Sequence, residues 1–174
     1  DLNNNISIHL DKTYKVIDYK YNISGNLEKA KFELPKSINS SFITKEINNI
    51  YLSDFQVKTA FSPNNIKSKG NGKYSFNNSD FAKIDLVNNM TNDLLSLKLD
   101  INYKNDLKLD LINYQKSENS LSNIYLDLEK KNDNIKINKF SFNEKNNLIQ
   151  IKDLRFKKDN ILSFKEISVK TNKN

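Results

Sequence analysis

The chain has 174 residues, 37% of them hydrophobic, a formal net charge of +7 and no cysteine, which fits one domain with a thin core and excludes a disulfide framework or thiol chemistry. Asn makes up about one residue in six and Lys outnumbers Arg 27 to 1, with the lysines dispersed among 21 acidic residues; nowhere do they form the Arg-rich, aromatic-interleaved patch that reads nucleic acid. No run nears the 18 or so consecutive apolar residues of a membrane helix.

Period-2 alternation of apolar and polar residues marks strand after strand. In chain order these are ISIHL at 6–10, KVIDYKYNIS at 15–24, AKFEL at 30–34, IYLSDFQVKTAF at 50–61, KYSF at 73–76 and AKIDLV at 82–87. Turns are expected at Gly25 and Asn26, at 62–65 (SPNN), and at Gly70, Asn71 and Gly72. Only SFITKEINNI at 41–50 has helical spacing, through Ile43, Ile47 and Ile50, and it is short enough to be an irregular crossover instead. LSLKLDINY then places Leu95, Leu97, Leu99, Ile101 and Tyr103 on one face against Ser96, Lys98, Asp100 and Asn102. LKLDLINY at 107–114 adds Leu107 and Leu109, and Ile124, Leu126 and Leu128 alternate with Tyr125, Asp127 and Glu129. The last strands are IKINKFSF (Ile135, Ile137, Phe140, Phe142), IQIKDLRF (Ile149, Ile151, Leu154, Phe156) and LSFKEISV (Leu162, Phe164, Ile167, Val169). The polar breakers YKND, QKSENS, NEKNN and KKDN have the length of hairpin connections, so successive strands are expected to be antiparallel neighbours.

Those last three strands, with IYLSDFQV and LKLDLINY, share a figure in which the apolar alternation slips by one residue in the middle. A β-bulge produces this: two residues oppose one, and the later side chains return to the original face while the strand bends. A strand passing from one sheet to another at a sandwich corner produces the same figure. The sequence leaves both open. The apolar face needs a second layer, and with helices nearly absent that layer is another sheet, the sheet itself closed as a barrel, or a lipid-like ligand in an open groove.

The succession YKYNISGNLEKAKFEL, INNIYLSDFQVKTAFS, IKSKGNGKYSFNN, IKINKFSF and LIQIKDLRFKKDNILSFKEISVKT resembles the AsmA-like envelope proteins of the YhdP and TamB type. The resemblance covers most of the chain and implies an all-β fold, a long curved antiparallel sheet forming a repeating β-groove. It also implies a function: the hydrophobic inner surface carries phospholipid or other acyl chains between the inner and outer membranes of a Gram-negative-type bacterium, in the periplasm, without a cofactor or catalytic residue. The lining would be the apolar stripe from Leu95 to Val169 named above, without Tyr103 and Leu162, and with Gln150, Lys152 and Arg155 turned to water. The chain opens on Asp1 and ends in TNKN, so residues 1–174 are expected to be one groove segment of a longer protein, anchored in the inner membrane through other parts of it.

Other functions find less support. The single histidine, His9, lies in an apparent strand without a positioned nucleophile or metal partner. Asp100 with Asp110, and Asp127 with Glu129, fall on polar strand faces, where solvated carboxylates are ordinary. The main rival is a structural or adhesive β-sandwich or solenoid module with a dry core, joined to a partner through a strand edge.

Overall fold

Alternating β-branched and aromatic residues with almost no Gly or Pro to interrupt them build long strands, and the chain is all-β. The computed structural model describes residues 1–40, 43–109, 114–118, 120–158 and 160–171, with the side chains of Ser40, Thr44 and Leu109 outside the description. The strands are β1 (Leu2–Leu10), β2 (Val16–Ser40), β3 (Ile43–Ser62), β4 (Asn65–Ser75), β5 (Ala82–Thr91), β6 (Leu94–Tyr103), β7 (Leu107–Leu109), β8 (Tyr114–Lys116), β9 (Ser122–Lys131), β10 (Asn134–Glu144), β11 (Asn147–Lys157), β12 (Asn160–Ser163) and β13 (Glu166–Lys170). Eleven of them form one antiparallel sheet in the order β1-β2-β3-β4-β5-β6-β9-β10-β11-β12, with β13 also pairing β11. The sheet is long, curved and not closed.

Neighbours in sequence are neighbours in the sheet except where the chain passes from β12 to β13, both of which pair β11, and from β6 to β9. There β7 and β8 pair only with each other, as a separate ribbon. LKLDLINY is therefore not a bulged strand of the main sheet: Leu107 and Leu109 belong to the ribbon, and 110–113, including Asp110, lie outside the described residues. The two-residue turns at 92–93, 132–133 and 145–146 begin with Asn92, Asn132 and Lys145 in the left-handed region, at φ 49°, 51° and 51°. Asn tolerates that region better than most residues, and this composition supplies it freely.

The slips are bulges. Asp54 and Asp153, at the centre of two of them, have φ of 50° and 52°, and the residues on either side face one way: Leu52 and Phe55 are both buried, as are Ile149 and Leu154. β3 carries one extra residue against β4 between Ser53 and Gln56, and β10 one extra against β9 between Ile137 and Lys139. In LSFKEISV the slip breaks the strand outright, separating β12 from β13. Among the described residues no strand changes sheet, so the sandwich-corner geometry is not the one adopted.

Three further sequence expectations fail. Gly25 with Asn26, and Gly70 with Asn71 and Gly72, lie inside β2 and β4 rather than at turns. Close approach explains them: an added Cβ would stand 2.0 Å from the Asp1 carbonyl oxygen at Gly25, 2.2 Å from Phe55 Cζ at Gly70 and 2.6 Å from the Asp54 carbonyl oxygen at Gly72. KVIDYKYNIS and AKFEL consequently join as one strand of 25 residues. From Ile43 onward SFITKEINNI is neither helix nor crossover but the start of β3; Ser41 and Phe42 are outside the described residues. The β2–β3 pair runs on past the last β4 partner, Ser75 opposite Tyr51, as a two-stranded arm. Its ladder is interrupted between Glu33 and Ile38, around Pro35, which has no N–H to donate.

Candidate functional site

Register partners on adjacent antiparallel strands share a face, so the pairings trace rows of side chains running along the sheet, perpendicular to the strands. Leu86, Leu99, Leu126, Phe140, Ile151 and Ile167 form one row. Ile84, Ile101, Ile124, Phe142, Ile149 and Val169 form another. Leu97, Leu128, Ile137 and Leu154 form a third, and Leu95, Lys130, Ile135, Phe156 and Ile161 a fourth. All the main-sheet residues expected to line a groove from β6 to β11 therefore meet on one face. On the β12 side Phe156 stands opposite Ile161, so Ile161 continues the stripe where the alternation pointed to Leu162. Phe164, in the break after β12, and Ile167 and Val169 on β13 remain exposed at the sheet edge.

Most of this face is half-buried, and among the described residues only the β7–β8 ribbon lies over it. Side chains on the curved sheet shield one another. In β2–β6, Leu52, Phe55, Tyr74 and Ala82 form a buried cluster with Leu27, Val57, Ile84 and Ile101 against it. The Phe55 ring covers Gly70, filling the space a side chain would need. Tyr74 reaches from β4 across β5 and donates its hydroxyl hydrogen to the Asn102 carbonyl of β6, at 3.0 Å.

The β7–β8 ribbon covers one end of the strands. The Tyr114 ring stands edge-on over Phe142, with centroids 5.6 Å apart, leaving Phe142 0% exposed, and its hydroxyl donates to the Glu144 carboxylate. Lys116, also 0% exposed, donates to the carbonyls of Lys104, Asn105 and Ser117 at 3.0, 2.7 and 3.1 Å and lies over the Tyr103 ring. All three ammonium protons are used, which is what keeps a buried lysine tolerable. Burial pushes its pKa down, opposed by the charges of Glu144, Asp106 and Glu118. Burial also pushes Tyr103 up to about 12, with a smaller contribution from Asp106, and raises Tyr74 and Tyr114. From the β2–β3 arm, Lys45 pairs with Glu118 at 2.6 Å, and Ile47 is buried, tying the arm to the same crossover.

The opposite face is polar. Lys98 pairs with Asp127 at 3.3 Å, Lys136 with Asp153 at 3.7 Å and Lys152 with Glu166 at 2.8 Å, and the Asn138 amide donates to both Asp127 and Glu129. These carboxylates thus sit in an ion-pair lattice on the outer face, with Gln150 and Arg155 beside them. His9 is exposed on β1, opposite Asp18. No group of His, Cys, Asp and Glu among the described residues is arranged to hold a metal.

Sequence reading alone missed the inward residues of β1–β5. Ile6, Tyr21, Phe61, Ile66 and Met90 extend the fourth row, and Val57, Gly70 and Leu86 extend the first. The signal for them, alternation in the first half, was present but could not be aligned without the register. No protein family, curated protein or solved structure matches this chain.

Proposed function

We propose that this chain is a segment of an AsmA-like lipid-carrying groove, whose apolar face takes the acyl chains of phospholipid or a related lipid between the inner and outer membranes of a bacterial envelope. The observation that carries the reading is the pair of apolar rows running unbroken from β5 to β11, Leu86 to Ile151 and Ile84 to Ile149, on a sheet face covered among the described residues only at the β7–β8 ribbon and backed by a polar, ion-paired face. A contiguous apolar surface of that extent is seldom left bare by a soluble protein. The rows run across the strands, so the five strands from β5 to β11, about 4.8 Å apart, make an unbroken apolar path of roughly 19 Å in a sheet roughly 43 Å across. Each methylene removed from water contributes about 0.8 kcal/mol. Neighbouring positions along a row of Leu, Ile and Phe are nearly equivalent, so a tail is held in total yet shifts between them at little cost. The chemistry needed is burial rather than catalysis.

Purified protein is expected to carry phospholipid detectable by mass spectrometry. Photoactivatable side chains at Leu97 and Ile151 should crosslink to it, and the same groups at Lys98 and Gln150 should not. Folded protein free of lipid that crosslinks from neither face would end the proposal.

The rival, a structural module joined through a strand edge, draws on one observation: β1 pairs on one side only and its nine residues contain no Asp, Glu, Lys, Arg or Pro to discourage further pairing. Concentration-dependent association abolished by Asn5→Pro, in protein that takes up no lipid, would favour it.

A further inference from the structure

The row containing Leu97, Leu128 and Leu154 changes character where it crosses into β5, β4 and β3. Its next members are Asn88, Ser68 and Thr59. These three sit side by side and half-buried on the inner face, between Val57, Gly70 and Leu86 on one side and Phe61, Ile66 and Met90 on the other. No charged residue occupies either flanking row there. Thr59 donates its hydroxyl hydrogen to Ser68 at 3.2 Å, but Asn88 Oδ1 is shielded from solvent and receives no hydrogen bond from the protein. A desolvated acceptor without a donor is costly, and buried polar groups ordinarily have one.

We infer that the groove holds its ligand in one orientation, with an uncharged polar linkage that carries hydrogen-bond donors on Thr59, Ser68 and Asn88 and the acyl tail on Leu97, Leu128 and Leu154. This rests on the reading of the apolar face as an acyl-chain groove and adds a polar subsite to it. The chemistry selects the ligand class. Asn88 offers an acceptor once its half-buried amide turns toward the ligand, Ser68 can donate or accept, Thr59 can accept because its own hydrogen goes to Ser68, and the absence of a neighbouring cation disfavours a phosphate at this position. A glycerol hydroxyl or an amide N–H next to the tail fits; a bare hydrocarbon or a simple ester leaves Asn88 without its donor. The apolar part of the row spans β6, β9, β10 and β11, about 14 Å at a strand spacing near 4.8 Å, so the tail points toward β11.

A monoacylglycerol and the methyl ester of the same fatty acid share tail and ester and differ in hydroxyl donors, which makes them the probe pair. Titrations followed by native mass spectrometry should show wild-type protein preferring the monoacylglycerol on the order of tenfold, the scale of one or two neutral hydrogen bonds. Asn88→Leu with Ser68→Ala should bind the two probes equally, with methyl ester affinity kept or improved. A photoreactive group at the tail terminus should capture β11 rather than β3. Equal binding of both probes by wild-type protein would overturn the subsite and leave the groove standing, whereas binding of neither by folded protein would overturn the groove as well. Ser68→Ala alone, a change the strand accommodates without bulk, should lower the preference part way; an unchanged ratio counts against the subsite even if the double variant does not fold.

Discussion

Tyr74, Tyr103 and Tyr114 each place a hydroxyl where it is shielded, bonded to the Asn102 carbonyl, the Asp106 carbonyl and the Glu144 carboxylate in turn. Burial favours the neutral phenol, so all three hold their protons above the usual value near 10, Tyr103 to about 12. The unfolded chain releases those protons near pH 10 while the fold retains them. Stability from these groups is therefore complete below pH 10 and declines as pH rises through their folded values. Urea midpoints are expected to fall between pH 10 and 11.5. Tyr103→Phe should flatten that fall while leaving the midpoint's pH dependence below 9 unchanged. A profile as steep in Tyr103→Phe as in wild type would show that its ionisation is not coupled to unfolding.

At the scale of the strand, the bulge does the shaping. Asp153 holds a left-handed backbone that costs a non-glycine residue roughly 1–2 kcal/mol, offset by the burial of Leu154 and Phe156 that the returned register allows. Asp153→Gly is expected to stabilise the protein by up to about 1 kcal/mol, reduced by any contribution from the partly exposed Lys136 pair. Asp153→Val should destabilise it by about 1–2 kcal/mol, because a β-branched side chain tolerates φ > 0 poorly. Chemical denaturation of the two variants checks this. If valine is accepted as easily as glycine, the slip is not a left-handed bulge. The β7–β8 ribbon is an element of another kind: it is held by Lys116, Tyr114 and Lys45 rather than by ladder bonds to the main sheet, and it turns one stretch of an open face into a small closed core around Phe142.

Across the whole molecule the inner face is therefore of two sorts, open floor and covered core, and a carboxylate tests which is which. Leu97 is half-buried on β6, which among the described elements packs on its sheet neighbours β5 and β9, so in Leu97→Asp the charge can stay hydrated whenever no lipid is bound. Phe142→Asp places the same charge under the Tyr114 ring beside Glu144, at a cost of several kcal/mol that rivals the roughly 5–15 kcal/mol stability of a domain. Thermal melts are expected to show Leu97→Asp and Ile151→Asp only modestly destabilised, the outward controls Lys98→Asp and Gln150→Asp little changed, and Phe142→Asp unfolded. Lipid loading should be lost in the two inward groove variants and kept in the controls. Inward variants as unstable as Phe142→Asp would mean that the stripe is a dry core.

The sequence by itself determined which side of each strand is apolar and where the alternation slips, because a period of two and a one-residue offset are local properties of a few consecutive residues. It also picked out the apolar residues from Leu95 to Phe156, which, apart from Leu107 and Leu109, share a face through the register of the folded sheet. Only the tertiary structure decided that the slips are bulges in one open sheet, that Gly70 lies beneath Phe55 instead of in a turn, that Ile43, Ile47 and Ile50 extend a strand, and that β7 and β8 pair as a ribbon over Phe142. The polar stretch of Thr59, Ser68 and Asn88 belongs with these: each is unremarkable in its own strand, and they become a site only when register sets three strands side by side. Register arises from contacts between residues far apart in the chain, and a one-residue change of pairing moves every side chain to the other face.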